Sequence, residues 1–424
     1  MAWTDGGTAT RAPRLRAAFA GTRALRVPAF RALFAAQIVS GVGTWSQNLA
    51  TSLLVLHLTG SAAALGLVTA IQFAPMLVLS PVTGRVLDRF DVRRVLLTTG
   101  VAGGVTALGL AVLAAAGHAP LWAVMVAVGL FGVAGAFDRP GVYTLLPRTV
   151  DEERRPSAIS LVTASNAVAR LGGPALAGLL YATLGPAACF GFNAVSYVFV
   201  VAALVVLPRL RPTLTGGPTA ADAPVPTGGD AGPQGGGLGI GYAWRHPDLR
   251  AALLANAAIG CLTFNFAVML AAMVTFTYDG GSGTVGLAYS TDAVGAVLGG
   301  LLGVGAVVTR RRTALACVGL GVTIAAAAAA PNLVLFLVAL PVMGVAITLY
   351  QSSVTALVQQ SSAPAMLGRM MTLLTLGWFG TTPVGALLIG WIADALSPRA
   401  AMAVAGATCL VCAAALALRK ERTP

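Results

Sequence analysis

The chain has 424 residues, of which 57% are hydrophobic and only 10% are charged. An ordinary soluble domain carries roughly 25% charged residues, so this composition excludes a water-exposed globular fold of this length. The net charge of +13 does not indicate a nucleic-acid-binding protein, because the basic residues are mostly arginines scattered at the ends of apolar runs.

Twelve apolar runs, each long enough to cross a bilayer at about 20 residues, follow one another along the chain. The first six are predicted at 32–55, 62–82, 95–115, 121–145, 158–183 and 187–207. The second six are predicted at 251–276, 285–307, 314–330, 333–356, 370–393 and 400–416. We therefore predict an all-α membrane protein with about 12 transmembrane helices in two pseudo-symmetric six-helix bundles.

The predicted domains are an N-terminal tail at 1–30, a six-helix bundle at 31–208, a linker at 209–248, a second bundle at 249–418 and a C-terminal tail at 419–424. The linker is rich in Gly, Pro, Ala, Thr and Asp. Such a composition buries too little apolar surface to offset the entropy of ordering it, so we predict that the linker is largely disordered.

The arginines predict the orientation, because positively charged loops stay in the cytoplasm. Arginines cluster in one alternate set of loops, and Arg399 is the exception on the other side. We expect a multi-pass protein of the inner or plasma membrane with both termini in the cytoplasm. The sequence has neither a phosphate-binding motif nor a cluster of metal-ligating residues. We therefore expect no enzyme activity, no cofactor and no metal site.

The loop after the second span reads GRVLDRFDVRR, from Gly84 to Arg94. A weaker copy, Gly305-x-x-x-Thr309-Arg310, follows the eighth span, which indicates two related halves. The first loop resembles the signature of the major facilitator superfamily. The resemblance implies a gating motif at Gly84, Asp88, Arg89, Arg93 and Arg94. The alternative is a positively charged loop that only fixes topology.

The similarity extends over nearly the whole chain to the exporter branch of the superfamily, which includes macrolide efflux pumps and enterobactin-type siderophore exporters. It implies the major facilitator fold, alternating access, proton antiport and export of small molecules. In the fifth span, Gly173, Pro174 and Gly178 resemble a motif of the superfamily's antiporters. Proline and glycines predict close packing and bending there, and the alternative is ordinary small-residue helix packing.

Ionisable residues at membrane depth are expensive and therefore indicate function. In the spans we single out Asp138, Arg139, Arg170 and Asp292. We predict that Asp138 pairs with Arg170, since opposite charges on consecutive helices offset each other's desolvation. The alternative places Arg139 at the membrane surface and pairs Asp138 locally or with the Gly84–Arg94 loop.

Asp292 has no obvious basic partner in the sequence, and burial without one would favour its protonated form. It is therefore the candidate for the proton-coupling carboxylate. Because it lies near the predicted outer end of the eighth span, the alternative is a hydrated carboxylate with no role.

Polar and aromatic residues on the first and seventh spans suit a cavity for an amphipathic solute, because they offer hydrogen bonds and stacking without a fixed charge. These cavity candidates are Gln37, Trp45, Gln47, Asn48, Asn256, Phe264 and Asn265. They favour a neutral or weakly polar substrate. The alternative is that they hold helices together.

The sequence thus predicts a monomeric secondary transporter that exports small amphipathic molecules, such as drugs or secondary metabolites, by proton antiport. Its partners are the substrate, protons and the lipid bilayer, without nucleic acid. The alternatives are a siderophore exporter, a proton-coupled uptake symporter, or a non-transporting sensor or lipid-handling protein on the same scaffold.

Overall fold

The computed structural model describes residues 23–206, 239–302, 309–363 and 366–417, and these residues form helices and no strands. The first six long helices are α1 (Pro28–Thr59), α2 (Ala62–Arg89), α3 (Val92–Ala115), α4 (Leu121–Arg148), α5 (Arg155–Leu184) and α6 (Pro186–Val206). The other six are α7 (Pro247–Thr277), α8 (Ser282–Leu302), α9 (Arg310–Ala328), α10 (Leu333–Ser361), α11 (Leu367–Ala395) and α12 (Pro398–Ala417).

Two of these helices are irregular. The α7 span consists of Pro247–Leu262, Phe266–Ala272 and a π-helical turn at Met273–Thr277. The α11 span holds a π-helical turn at Leu376–Gly380 between two α-helical parts. Such turns recur at functional sites in helices.

The predicted fold class is confirmed. In the part of the chain that the structure describes, eleven spans are long and apolar enough to cross a membrane. Helix α1 is the twelfth long helix, with 32 residues, and it contains polar side chains such as Gln37 and Gln47. Large apolar side chains cover the outside of the bundle; Val78 is 70% exposed and Val105 is 64% exposed. A surface of this kind is stable in lipid and not in water.

Parts of the predicted tails and linker, 1–22, 207–238 and 418–424, lie outside the described residues, as does Gly305. In the described parts of the predicted tail and linker, helical structure extends beyond the predicted limits of the bundles. A 3₁₀ turn forms at Arg23–Arg26 and α1 begins at Pro28. The last part of the predicted linker is helical, since Ile240–Arg245 is a short helix and α7 begins at Pro247.

The two sets of six helices pack as two bundles that meet along two equivalent seams, α2 against α11 and α5 against α8. Consecutive helices run in opposite directions, so the loops alternate between two ends. We name the end with Arg85, Arg89, Arg148 and Arg369 the arginine-rich end. The other, with the α1–α2, α5–α6 and α11–α12 connections, is the arginine-poor end.

The apolar core differs between the two ends. One large cluster of buried apolar residues runs through both bundles, with Leu65, Ala177, Val285 and Ile389 among its members. A second, separate cluster fills the first bundle near the arginine-rich end and includes Leu33, Leu96, Leu146, Val162 and Leu204. The bundles therefore share a core towards the arginine-poor end, whereas their cores are separate towards the arginine-rich end. We name the boundary between the bundles at that end the cleft.

Small residues make the shared part of the α5–α8 seam possible. A Cβ atom added at Gly286 would lie 2.7 Å from the carbonyl oxygen of Pro174 and 2.8 Å from the Cα of Gly178. Real Cβ atoms do not approach backbone atoms this closely, so the two helices are in contact along their backbones.

We therefore predict that Gly286→Ala destabilises this seam, because α5 and α8 must move apart to admit the methyl group. An overpacked core costs about 1–3 kcal/mol. The measurement is the apparent melting temperature of the purified protein in detergent. Gly283→Ala on the same helix is the matched control, since a Cβ there meets no atom within 4 Å. Equal melting temperatures for the two variants would contradict the close contact at Gly286.

Candidate functional site

An ion pair joins the two bundles near the middle of the membrane. Nη2 of Arg170 on α5 donates to Oδ2 of Asp292 on α8 at 2.9 Å. The Asp292 side chain is 5% exposed and that of Arg170 is 32% exposed. Oδ1 of Asp292 is buried and has no hydrogen-bond partner among the described residues. Oδ2 of Asp292 thus accepts a hydrogen bond from Arg170, whereas Oδ1 accepts none from the described residues.

The packing of α8 explains why Asp292 is buried. A Cβ at Gly344 on α10 would overlap the carbonyl oxygen of Asp292, and one at Gly295 would overlap that of Pro341. Helices α8 and α10 are therefore in backbone contact on one side of Asp292. On α8 itself, Ser290 Oγ donates to the carbonyl of Leu171 on α5 at 3.4 Å, beside the ion pair.

The predicted pair of Asp138 with Arg170 is not formed, and the prediction that Asp292 lacks a basic partner is wrong. Asp138 lines a small gap inside the first bundle with Gln37, Leu96 and Val200. Successive helical residues point about 100° apart, so Asp138 points into the bundle and Arg139 points elsewhere. Arg170 consequently finds its carboxylate on a helix of the other bundle.

In this conformation, the Gly84–Arg94 loop makes local contacts within the first bundle. Asp91 caps α3 by accepting from the backbone N–H of Arg93 at 3.0 Å. The Arg93 side chain donates to the carbonyls of Leu204 and Val205 at 2.7 and 2.8 Å, and so satisfies the end of α6. These contacts lie within the first bundle.

The other members of the predicted gating motif are free at this end. Asp88 and Arg89 are exposed and form no ion pair with the described residues. A Cβ at Gly84 would meet no atom within 4 Å, so no neighbouring helix approaches it closely here. The gating role of the motif stays a prediction that concerns a second conformation.

The antiporter-like segment of α5 lies at two helix contacts. A Cβ at Gly173 would lie 2.9 Å from the carbonyl of Val42 on α1. Pro174 and Gly178 contact α8 across the α5–α8 seam. A relative motion of the two bundles would therefore change the contacts of this segment. Its role in antiport stays a prediction.

The cavity candidates mostly hold helices together. Asn193 of α6 donates to Gln47 at 2.7 Å, and Gln72 of α2 donates to Asn48 at 2.9 Å. Asn256 is fully buried and donates to the carbonyl of Leu374 on α11 at 2.9 Å.

The remaining candidates differ from these. Asn265 donates to the carbonyl of Cys261 at 2.5 Å within the irregular part of α7, and Phe264 packs edge to face on Phe266. Trp45 packs against Gly173. Gln37 faces the gap beside Asp138. The alternative of interhelical packing thus describes Trp45, Gln47, Asn48 and Asn256, whereas a cavity role for Gln37, Phe264 and Asn265 stays a prediction.

The sequence reasoning missed a second contact between the bundles, at the arginine-poor end. The carboxylate of Asp394 on α11 accepts from the backbone N–H groups of Ala62 and Ala63 at 2.7 and 2.9 Å, and from the hydroxyl of Ser61 at 2.5 Å. A carboxylate at a helix N-terminus satisfies free donors and interacts favourably with the helix dipole. Its signal in the sequence was an acid at the very end of a span.

The sequence reasoning also missed a polar face on α4 and α5. Asn166 Nδ2 donates to the Tyr143 hydroxyl at 3.1 Å. Arg139 lies four residues before Tyr143, and its guanidinium stacks over the ring of Phe379 on α11, 6.0 Å from the centroid. The i,i+4 spacing of Arg139 with Tyr143 and of Asn166 with Arg170 was the available signal.

Two six-helix bundles with a charge pair at their mid-depth interface define the class of secondary transporters built from two repeats. The chain belongs to the transmembrane secretion effector family of the major facilitator superfamily, which it matches over residues 19–423. The protein is thus a multi-pass membrane transporter and not an enzyme, and the family resemblance seen in the sequence is confirmed.

Exporters are among its relatives. The chain is 23% identical over 400 residues to macrolide efflux protein A of Streptococcus pyogenes, with 91% of this chain and 94% of that protein covered. It is 27% identical over 394 residues to the enterobactin exporter of Salmonella paratyphi A, with 89% of each covered.

Solved structures share the fold. A bacterial homologue of the human lysosomal transporter Spinster superposes with a TM-score of 0.69 at 14% identity, over 92% of this chain and 96% of that one. A POT family transporter superposes with a TM-score of 0.70 at 9% identity, over 91% and 94% of the two chains.

We predict that Asp394→Asn loosens the arginine-poor end, because a neutral amide interacts more weakly with the α2 N-terminus than a carboxylate does. A charge at a helix terminus contributes about 0.3–1 kcal/mol. The measurement is the distance between spin labels on cysteines at Leu184 and Leu396, which are exposed on opposite bundles at this end. The variant should add a population at longer distance.

Asp279→Asn is the matched control for this measurement. Asp279 is an exposed acid at the same end with a positive φ of 51°, which asparagine also tolerates. Its substitution should leave the distances unchanged. An unchanged distribution in Asp394→Asn would show that the cap does not hold the end closed.

Proposed function

We propose that this protein exports small amphipathic molecules across the inner or plasma membrane by proton antiport and alternating access, as a monomer. The arginine-rich end and both termini lie in the cytoplasm, which agrees with the preference of basic loops for that side. The named substrates of its relatives, a macrolide and enterobactin, support an exporter of drug-like molecules or secondary metabolites.

The observation that carries this proposal is the Arg170–Asp292 pair between the bundles. With Asp292 ionised, attraction to Arg170 holds α5 against α8. When Asp292 takes up a proton, that attraction is lost and Arg170 keeps a charge without a counterion. Because Arg170 is partly exposed, leaving it unpaired costs less than the roughly 3–5 kcal/mol of a fully buried pair, but it is still unfavourable. Protonation would therefore disfavour this arrangement of the bundles relative to another.

Oδ1 of Asp292 is the natural site for the proton. It has no hydrogen-bond partner among the described residues, so an added proton displaces no existing contact there. The Arg170 side chain is 32% exposed, so a solute between the bundles can reach it. A proton on Asp292 competes with Arg170 for the carboxylate and so changes the charge that a solute meets there, which links proton binding thermodynamically to solute binding.

We predict that Asp292→Asn abolishes proton-driven export, because an amide cannot alternate between a charged and a neutral form. The measurement is accumulation of the neutral dye N-phenyl-1-naphthylamine, of its anionic analogue 1-anilinonaphthalene-8-sulfonate and of radiolabelled erythromycin in cells that lack their own efflux pumps. Wild type should lower accumulation of at least one of them, and a protonophore should remove the effect. Asp292→Asn should match cells without the protein, whereas Asp279→Asn should match wild type.

The charge-swapped double variant, Arg170→Asp with Asp292→Arg, separates attraction from coupling. It should recover the melting temperature that each single variant loses, because the ion pair re-forms. It should not recover export, because the carboxylate then sits on α5. Gradient-dependent export by Asp292→Asn would remove Asp292 from the mechanism.

A further inference from the structure

Arg139 is a charge at membrane depth that the ion pair above does not use. It lies within the Leu121–Arg148 span, well inside its ends, and its side chain is exposed. Its guanidinium forms no ion pair with the described residues. Asp292 is engaged by Arg170. Asp138 is an electrostatic neighbour of Arg139 but faces the gap inside the first bundle and makes no ion pair with it. An arginine at this depth is costly to retain, so it calls for an anionic partner.

The position of Arg139 places it in the cleft. Its guanidinium lies over Phe379, which belongs to α11 of the other bundle and is 36% exposed. An exposed side chain on α4 that reaches across to an exposed ring on α11 lies between the bundles. A solute entering from the arginine-rich end would therefore meet both the guanidinium and the ring.

A second donor lies next to the guanidinium. Tyr143 is one turn from Arg139 on the same face of α4, is 41% exposed, and is an electrostatic neighbour of Arg139. Its hydroxyl oxygen accepts from Asn166, which leaves the hydroxyl proton available for an acceptor. Asn166 is itself held, because its Nδ2 also donates to the carbonyl of Val162 at 3.1 Å.

Arg170 lies at the same level as Arg139. Helices α4 and α5 are antiparallel, and the Tyr143–Asn166 hydrogen bond fixes their register. Arg139 and Arg170 are each four residues from that bond in the direction of the arginine-poor end, about 6 Å along the helix axis. The Arg170 guanidinium is paired with Asp292, whereas that of Arg139 makes no ion pair with the described residues and has the neighbouring Asp138 as an electrostatic partner. The donors of Arg139 are therefore the ones available to an anion.

We propose that the cleft binds an acidic group of the substrate, with Arg139 and the Tyr143 hydroxyl as its donors and Phe379 against the adjoining apolar or aromatic part. This inference rests on the proposed export function and specifies its substrate class: an apolar body that carries a carboxylate, sulfonate or similar oxyanion. It replaces the expectation of a neutral substrate, which was drawn from polar side chains that instead bond between helices.

The test uses two dyes with one skeleton. N-phenyl-1-naphthylamine is neutral, and 1-anilinonaphthalene-8-sulfonate adds one sulfonate. Binding is measured by equilibrium dialysis against the full-length protein in phosphatidylcholine nanodiscs, with empty nanodiscs subtracted. Wild type should bind the sulfonate more tightly. Arg139→Gln should weaken sulfonate binding by about ten-fold or more, as expected for a charge-assisted contact, and leave the neutral dye unchanged.

Three further variants make the result specific. Arg139→Lys keeps the charge without the planar donor fork and should lose less affinity than Arg139→Gln. Tyr143→Phe removes one neutral donor and should weaken sulfonate binding by about two- to ten-fold. Arg148→Gln, an exposed arginine at the end of α4, is the matched control and should bind both dyes as wild type does. Melting temperatures check that each variant is folded.

Two outcomes would overturn the inference: equal loss of both dyes in Arg139→Gln, which indicates an apolar or structural role, or unchanged sulfonate binding in that variant. Because binding is measured without a gradient, it is independent of transport. Charge-selective binding without gradient-dependent export would refute only the antiport proposal. Gradient-dependent export without charge selectivity would refute only the acidic substrate class.

Discussion

The cost of burying charge in a medium that cannot solvate it is the constraint on which the rest of this structure depends. Arg170 and Asp292 satisfy it by meeting across the interface between the bundles, where neither would be tolerable alone. The pair is therefore a contact between the bundles, and in the proposed mechanism it is also the sensor of protonation. A change in the charge of Asp292 alters the relative stability of the arrangement in which the two helices touch.

Close backbone packing surrounds this charge pair. Glycines at 178, 286, 295 and 344 bring α5, α8 and α10 into direct contact around Asp292. A tightly packed seam has few intermediate arrangements, because side chains cannot cushion a small displacement. At the other seam, Asp394 at the end of α11 accepts hydrogen bonds from the first turn of α2. Contacts along the two seams close the arginine-poor end. At the arginine-rich end the apolar cores of the two bundles stay separate.

The cleft combines features that a transporter of amphipathic anions requires. The Arg139 guanidinium supplies charge and fixed donors, the Tyr143 hydroxyl supplies a neutral donor, and Phe379 supplies an apolar surface from the opposite bundle. Contacts to both bundles matter, because a substrate that touches only one of them has no means of biasing their relative position. In the proposed mechanism, Arg170 links this surface to Asp292, because it pairs with that carboxylate and lies at the level of Arg139.

The sequence by itself determined the membrane environment, the helix count, the two-bundle architecture and the family, since hydropathy, arginine position and a loop motif are local properties of the chain. It also identified Arg170 and Asp292 as charges that need an explanation. Only the tertiary structure decided that they form an ion pair with each other, because 122 positions separate them and their contact depends on how α5 and α8 pack. The pairing of Arg170 with Asp138 failed because neighbouring helices need not turn their charged residues towards one another. For the same reason, the uncharged polar residues of α1 and α7 suggested a cavity, whereas packing assigned them to other helices.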